Sequence, residues 1–175
     1  GKAVQTVNPP NGSVGTAQLA DSSVTSAKLG TGATNTPAFL AILSGDQSIA
    51  NGTVTALQFN TEVFDTDSCF NTSTYKFTPT TSGKYFVYVK GRFNNDVDYD
   101  NNRFIISKNG SQYAECRNTN RYYDAFYLSL IMEFNGSSDY IIAQAEQGSG
   151  VSQSVEGSST HQGRAEFGAY KLIGV

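Results

Sequence analysis

Tryptophan is absent from this 175-residue chain, and histidine and methionine occur once each, as His161 and Met132. One histidine and two cysteines, Cys69 and Cys116, do not make a four-ligand zinc site, and two cysteines are too few for a disulfide framework. Charge is scarce as well: 15% of residues are charged, 12 basic against 15 acidic, for a net charge of -3. Nucleic-acid phosphates require a basic stripe that scattered Lys and Arg in a net acidic chain do not supply. No run of about 18 apolar residues is present to cross a membrane as a helix, and no charged, apolar, small-residue leader opens the chain. It begins at Gly1 instead of Met, as a fragment would.

Catalytic motifs are missing too. No Gly-x-Ser-x-Gly elbow occurs, and His161 sits in Ser158-Ser-Thr-His-Gln-Gly163, a loop composition without a partner carboxylate. Gly148-Ser-Gly150 lacks the third glycine and following helix of a nucleotide fingerprint and reads as a turn. The expectation is a protein that is not an enzyme.

What the chain has in quantity is Ser and Thr, 36 together, with 17 Gly, 11 Phe and 10 Tyr. That composition favours strands and turns over helices. Its distribution is uneven. Residues 1–37 contain no aromatic and carry a repeat of period ten, in which Val14, Ala17 and Leu19 recur as Val24, Ala27 and Leu29. One chain cannot build a core from so few apolar residues, so the repeat is expected to bury them against copies in neighbouring chains, as an extended stalk. A flexible Ser/Thr/Gly linker is the alternative.

Residues 38–175 alternate apolar and polar positions between turn signals spaced roughly ten residues apart, the mark of an all-β sandwich or barrel. Tyr85, Val87, Val89 and Phe93 share one face of a strand whose other face holds Lys90 and Arg92. Phe126, Leu128, Leu130, Met132 and Phe134 form a second apolar face, opposite Ala125, Tyr127, Ser129, Ile131 and Glu133. Asn51-Gly52, Asn109-Gly110 and Asn135-Gly136 accept positive φ and are expected to be tight reversals between consecutive strands.

Several landmarks then fall in a familiar order: Ala38-Phe-Leu-Ala-Ile-Leu-Ser44, the stretch from Phe59 to Asp65, Tyr75-Lys-Phe-Thr-Pro-Thr-Thr-Ser-Gly-Lys-Tyr-Phe-Val-Tyr88, Ile106-Ser-Lys-Asn-Gly110, Asn135-Gly-Ser-Ser-Asp-Tyr-Ile141 and Phe167-Gly-Ala-Tyr-Lys-Leu-Ile173. Residues 38–175 thereby resemble the globular-head family of complement component 1q, which shares its jelly roll with tumour necrosis factor. Two departures stand out: two residues precede the Asp139 position, and Gly168 follows Phe167 directly. The resemblance implies an all-β, ten-stranded jelly-roll sandwich that forms a homotrimer. The decads resemble segments next to the shafts of phage tail-fibre and virion-spike proteins. Together they imply a trimeric knob on a short extended stalk, at a virion surface, attaching to a host cell-surface receptor. A secreted complement 1q-like recognition module and a purely structural trimerisation domain are the alternatives.

Two loops carry candidate sites. Asp96, Asp98 and Asp100 alternate in Asn94-Asn-Asp-Val-Asp-Tyr-Asp-Asn-Asn102, which puts their carboxylates on one side of an extended segment and suits calcium. The solvated hairpin loop whose charges block edge pairing is the leading alternative. Some members of the resembled family bind calcium near the trimer apex. Asp65 and Asp67 form a weaker acidic pair beside Cys69. Arg117, Arg121, Tyr122 and Tyr123 combine guanidinium groups with aromatics, a mixture suited to receptor or carbohydrate recognition, or to strand and interface packing. Cys69 and Cys116 either pair, closing a loop of about 50 residues worth roughly 4 kcal/mol in the chain-entropy model, or stay free. Asn11, Asn51, Asn71, Asn109 and Asn135 head Asn-x-Ser/Thr triplets, as expected by accident in a chain this rich in Ser and Thr.

Overall fold

A twelve-residue strand of strict alternation organises the protein. β7 (Gly83–Asn94) turns Tyr85, Val87, Val89 and Phe93 inward, each almost completely buried, and turns Phe86, Tyr88, Lys90 and Arg92 outward. Both of its edges are paired antiparallel. β10 (Ala125–Phe134) lies along one edge from Ala125 opposite Arg92 to Phe134 opposite Gly83. β13 (Glu166–Lys171) and then the short β12 (Gln153–Val155) share the other edge. β1 (Ala38–Ile42) continues the sheet beside β13, and β4 (Thr61–Asp65) closes it beside β1. β2 (Gln47–Ile49) pairs with β12.

The computed structural model describes residues 20, 23–25, 28, 35–94, 102–118, 125–159 and 165–174. The chain divides into two compact units, Gly1–Thr34 and Asn35–Val175. In the first, Ser23 N donates to Ala20 O at 3.0 Å and Lys28 N to Thr25 O at 2.9 Å, while Lys28 Nζ reaches Ser23 O at 2.6 Å. In the second, a six-stranded sheet faces the β7 sheet. Its order is β5 (Phe70–Asn71), β6 (Lys76–Phe77), β11 (Ile141–Glu146), β8 (Asn102–Lys108) and β9 (Ser111–Asn118), with β3 (Thr55–Ala56) also paired to β11.

The fold is the expected all-β sandwich of two antiparallel sheets with jelly-roll crossovers. Of the thirteen described strands, β2, β3, β5, β6 and β12 are pieces of two or three residues that a count of ten does not resolve. The turn expectations divide. Asn109-Gly110, with Asn109 at φ 53°, makes the β8–β9 hairpin. Asn51-Gly52 and Asn135-Gly136 instead carry the chain from one sheet to the other, since β2 and β10 belong to the first sheet and β3 and β11 to the second. The dipeptide sets a local reversal; which edge the next strand joins depends on the sandwich.

Aromatic rings fill the space between the sheets. Phe39 stacks on Phe70 and Phe77 with centroids 4.6 and 4.5 Å away and meets Phe167 edge-on at 5.1 Å. Phe104 stacks on Phe126 at 4.9 Å, and Phe93 meets both edge-on. Each such pair adds about 0.5–1.5 kcal/mol beyond area burial. Tyr85 is fully buried and gives its hydroxyl to Thr81 O at 2.7 Å; burial pushes its phenol well above the ordinary range. Cys69 and Cys116 are both free thiols. Cys69 is buried with its sulfur 3.7 Å from Thr80 Oγ1, and Cys116 lies opposite Phe104 on β9. Among the described residues no helix is long and apolar enough to cross a membrane.

Candidate self-association face

Strand alternation that buries Tyr85, Val87 and Val89 necessarily presents Phe86 and Tyr88 to the outside. Register then collects apolar groups from neighbouring strands around them. Across Phe86 lie Tyr170 of β13 and Ile131 of β10, and Tyr170 is itself opposite Ala38. Across Tyr88 lie Gly168 and Ser129, followed by Leu40 and Phe64 through β1 and β4. Tyr127 stands opposite Lys90. The rings touch: Phe86 and Tyr170 have centroids 5.4 Å apart, Phe86 and Tyr88 6.1 Å.

The resulting band runs across five strands and is open. Tyr127 is 71% exposed, Ile131 58% and Phe64 47%. A depression of about 330 Å³ lies between Tyr88 and Tyr127, lined mainly by carbon. Single exposed hydrophobic residues are ordinary, whereas a contiguous patch marks an interaction surface. Charged rows border it. At one end Lys84 faces Glu133 in register. At the other Lys90 Nζ is 3.1 Å from Glu166 and Arg92 is 2.7 Å from Glu156. Burial pushes the Tyr88 phenol up, with Glu166 and Tyr170 adding to the shift. The arrangement suits exclusion of water by a second protein surface.

The candidate residues of the two loops are placed unevenly. Asp96, Asp98, Asp100, Arg121, Tyr122, Tyr123 and His161 lie outside the described residues, as does most of the decad repeat. Arg117 lies one residue before the end of β9, on the outer face of the second sheet, and donates from Nε to Glu115 Oε1 at 2.5 Å. Glu115 also receives Arg103 at 2.5 Å and Gln112 at 2.9 Å, and Arg103 reaches Glu146 Oε2 through Nε at 2.5 Å. Arg117, joined by Arg103, holds the Glu115 carboxyl at about 2. Arg117 therefore belongs to an ion network spanning β8, β9 and β11. Asp65 caps a turn, its Oδ2 accepting Phe70 N at 2.8 Å, and Asp67 accepts the Thr66 hydroxyl at 2.6 Å. Among the described residues, no group of three or more His, Cys, Asp or Glu is placed to hold a metal.

Sequence reasoning missed the aromatic face, although its signal was present. Phe86, Tyr88, Tyr127 and Ile131 all occupy positions alternating with core residues, where a solvated strand would carry polar side chains.

No protein-family model and no curated protein matches the sequence. Solved structures do. Murine APRIL superposes with a TM-score of 0.58 at 15% identity, covering 77% of this chain and 98% of the other. The globular domain of zebrafish complement 1qA gives 0.51 at 15% identity, over 78% and 98%. The vertex protein P5 of PRD1 gives 0.55 at 16% identity, over 77% and 96%. These likenesses show the fold, the jelly roll of the tumour necrosis factor and complement 1q type.

Proposed function

We propose that the chain is the homotrimeric knob of a viral fibre or spike, assembled through the aromatic face of β1, β4, β7, β10 and β13 and presenting a binding surface to a host receptor. The observation that carries this reading is the outward band of exposed Phe64, Tyr127, Ile131 and Tyr170 around half-buried Tyr88, apolar at its centre and charged at its ends. The resemblance to the complement 1q and tumour necrosis factor family implies a homotrimer, and PRD1 P5, which shares the fold, is a vertex protein. Residues 1–37 supply the stalk and 38–175 the knob. The role is binding, and three weak sites on one stalk gain avidity through high effective concentration.

Sedimentation equilibrium decides the assembly: three copies are expected, and a wild-type monomer at micromolar concentration overturns it. For receptor contact, the combined Arg121, Tyr122 and Tyr123 to Ala variant is expected to lose host-cell binding while remaining trimeric. Unchanged binding removes that loop, and the absence of any host binding by the wild type leaves a structural trimerisation domain. Calcium at Asp96, Asp98 and Asp100 belongs to the same proposal; a melting midpoint unmoved by chelator removes it. The secreted recognition module is less favoured. The Cys69–Cys116 bridge that would favour it is absent, both thiols being free.

A further inference from the structure

The β1–β2 connection and the segment leading from β3 to β4 enclose a polar cleft of about 470 Å³. Three side chains each use polar atoms to hold its walls. Gln47 bridges them, its Nε2 donating to Ala56 O and its Oε1 accepting from Gln58 N, both at 2.8 Å. Asn60 Oδ1 accepts Ser44 N at 3.1 Å, and Asp46 Oδ1 accepts Gly157 N at 3.0 Å. Behind the loop, a Cβ on Gly157 would fall 2.2 Å from Gly45 O, so the two backbones are in direct contact. The cleft is thus fixed in advance of any occupant, which lowers the ordering cost of binding.

What those clamps leave over points into a ligand class. The second oxygen of Asp46, the amide nitrogen of Asn60, and the whole side chains of Gln58 and Ser48 have no partner among the described residues, and all four residues are exposed. The set combines donors with acceptors, holds one negative charge, and includes no Lys, Arg or aromatic ring. A phosphate or other anion finds no cation there. A calcium ion finds one carboxylate where it takes six to eight oxygens. A neutral polyol fits both needs, because each hydroxyl donates to a carboxylate oxygen and accepts from an amide nitrogen.

We propose that this cleft is a binding site for a neutral saccharide. The inference deepens the host-attachment reading and rests on it for its biological role, since cell surfaces present such sugars in multiple copies. A few exposed hydrogen bonds give a dissociation constant on the order of millimolar per site, which three copies on one knob would strengthen.

Glucose, galactose, mannose and N-acetylglucosamine, titrated separately into the isotope-labelled full chain, provide the test through backbone amide spectra. At least one is expected to move the Gly45, Asp46 and Gln58 resonances saturably. Asn60→Asp keeps the oxygen that accepts Ser44 N but removes the donor; Asp46→Asn keeps the oxygen that accepts Gly157 N but removes the charge. Each is expected to weaken the sugar about tenfold, the scale of one lost hydrogen bond, with distant resonances unmoved. Gln58→Ala, whose side chain clamps nothing, is expected to weaken it several-fold, and serves if either isosteric variant fails to fold. No saturable shift with any of the four sugars, or wild-type affinity in the folded variants, overturns the proposal. Light scattering on the same samples separates the two readings: a trimer without sugar binding sinks the cleft alone, and a monomer that binds sugar sinks the trimer alone.

Discussion

Gly168 lies beneath the side chain of Tyr88: a Cβ at residue 168 would stand 2.7 Å from the Cε1, Cζ and hydroxyl oxygen of that tyrosine, its partner across β13 and β7. The glycine lets a large ring lie flat on the sheet, so the aromatic face is shallow enough to meet another surface. Gly168→Ala pushes aside the far end of a mobile side chain. Folding stability is expected to fall by no more than about 1 kcal/mol, whereas self-association should weaken clearly. Paired chemical denaturation and sedimentation measurements check this; equal losses in both would remove the specific role given to Tyr88.

Tyr127 and Ile131 are the most exposed apolar residues of the face. Tyr127→Asp and Ile131→Asp are each expected to shift the stability of the isolated knob by about 0.5 kcal/mol or less, as exposed positions do. Both should yield monomers by light scattering. A stable trimer in both variants would place the subunit contact elsewhere.

Phe39 touches three rings at the centre of the sandwich. Phe39→Ala is expected to cost about 3–5 kcal/mol through lost transfer energy and a residual cavity. The urea midpoint should fall with little change in slope. A loss under about 1 kcal/mol would mean that the rings do not form one packed core.

Acid stability depends on carboxylates that folding holds ionised. The Glu115 carboxyl lies at about 2 in the folded protein against an ordinary 4.5, with Arg117 the leading cause. Asp139 is also lowered, by Asn109 and then Lys108. A folded value below the unfolded one stabilises above the unfolded value, and that stabilisation disappears as pH falls through the folded one. Glu115→Gln should therefore melt below wild type at pH 7, and the gap should close between about pH 4.5 and 2. Melting curves at intervals across that window test it, and a gap independent of pH would contradict the assignment.

Free thiols make a simple prediction. The denatured protein is expected to titrate both Cys69 and Cys116 with a thiol reagent, and the native protein to react slowly at Cys69, which is buried with its thiol shifted up by desolvation. A reducing agent should leave the melting midpoint unmoved. A fall in midpoint on reduction would show a disulfide.

Much of this architecture was written into local pattern. Alternation of period two in residues 85–93 and 126–134 assigned β7 and β10 and chose their buried faces correctly, because one sheet face must leave water wherever it lies in the fold. The landmark stretches from Ala38 to Ile173 carried the jelly roll, and the described strands follow them. Pairing was not legible in the same way. Arg103 and Glu115 flank the Asn109-Gly110 reversal, but Glu146 is far from both in sequence, and only the register of β8 with β11 brings it to Arg103.

The amino-acid sequence by itself determined an acidic, all-β chain whose first 37 residues carry no aromatic, because composition and strand periodicity are local properties that each segment carries alone. The tertiary structure decided which exposed residues act together. Phe64, Leu40, Tyr88 and Tyr170 are scattered over four separate stretches and become one apolar face because β4, β1, β13 and β7 lie side by side. The cleft between Asp46 and Asn60 likewise exists because side-chain hydrogen bonds close two loops upon each other. Long-range register has no local signature, so surfaces built across strands are visible only once the sheets are assembled.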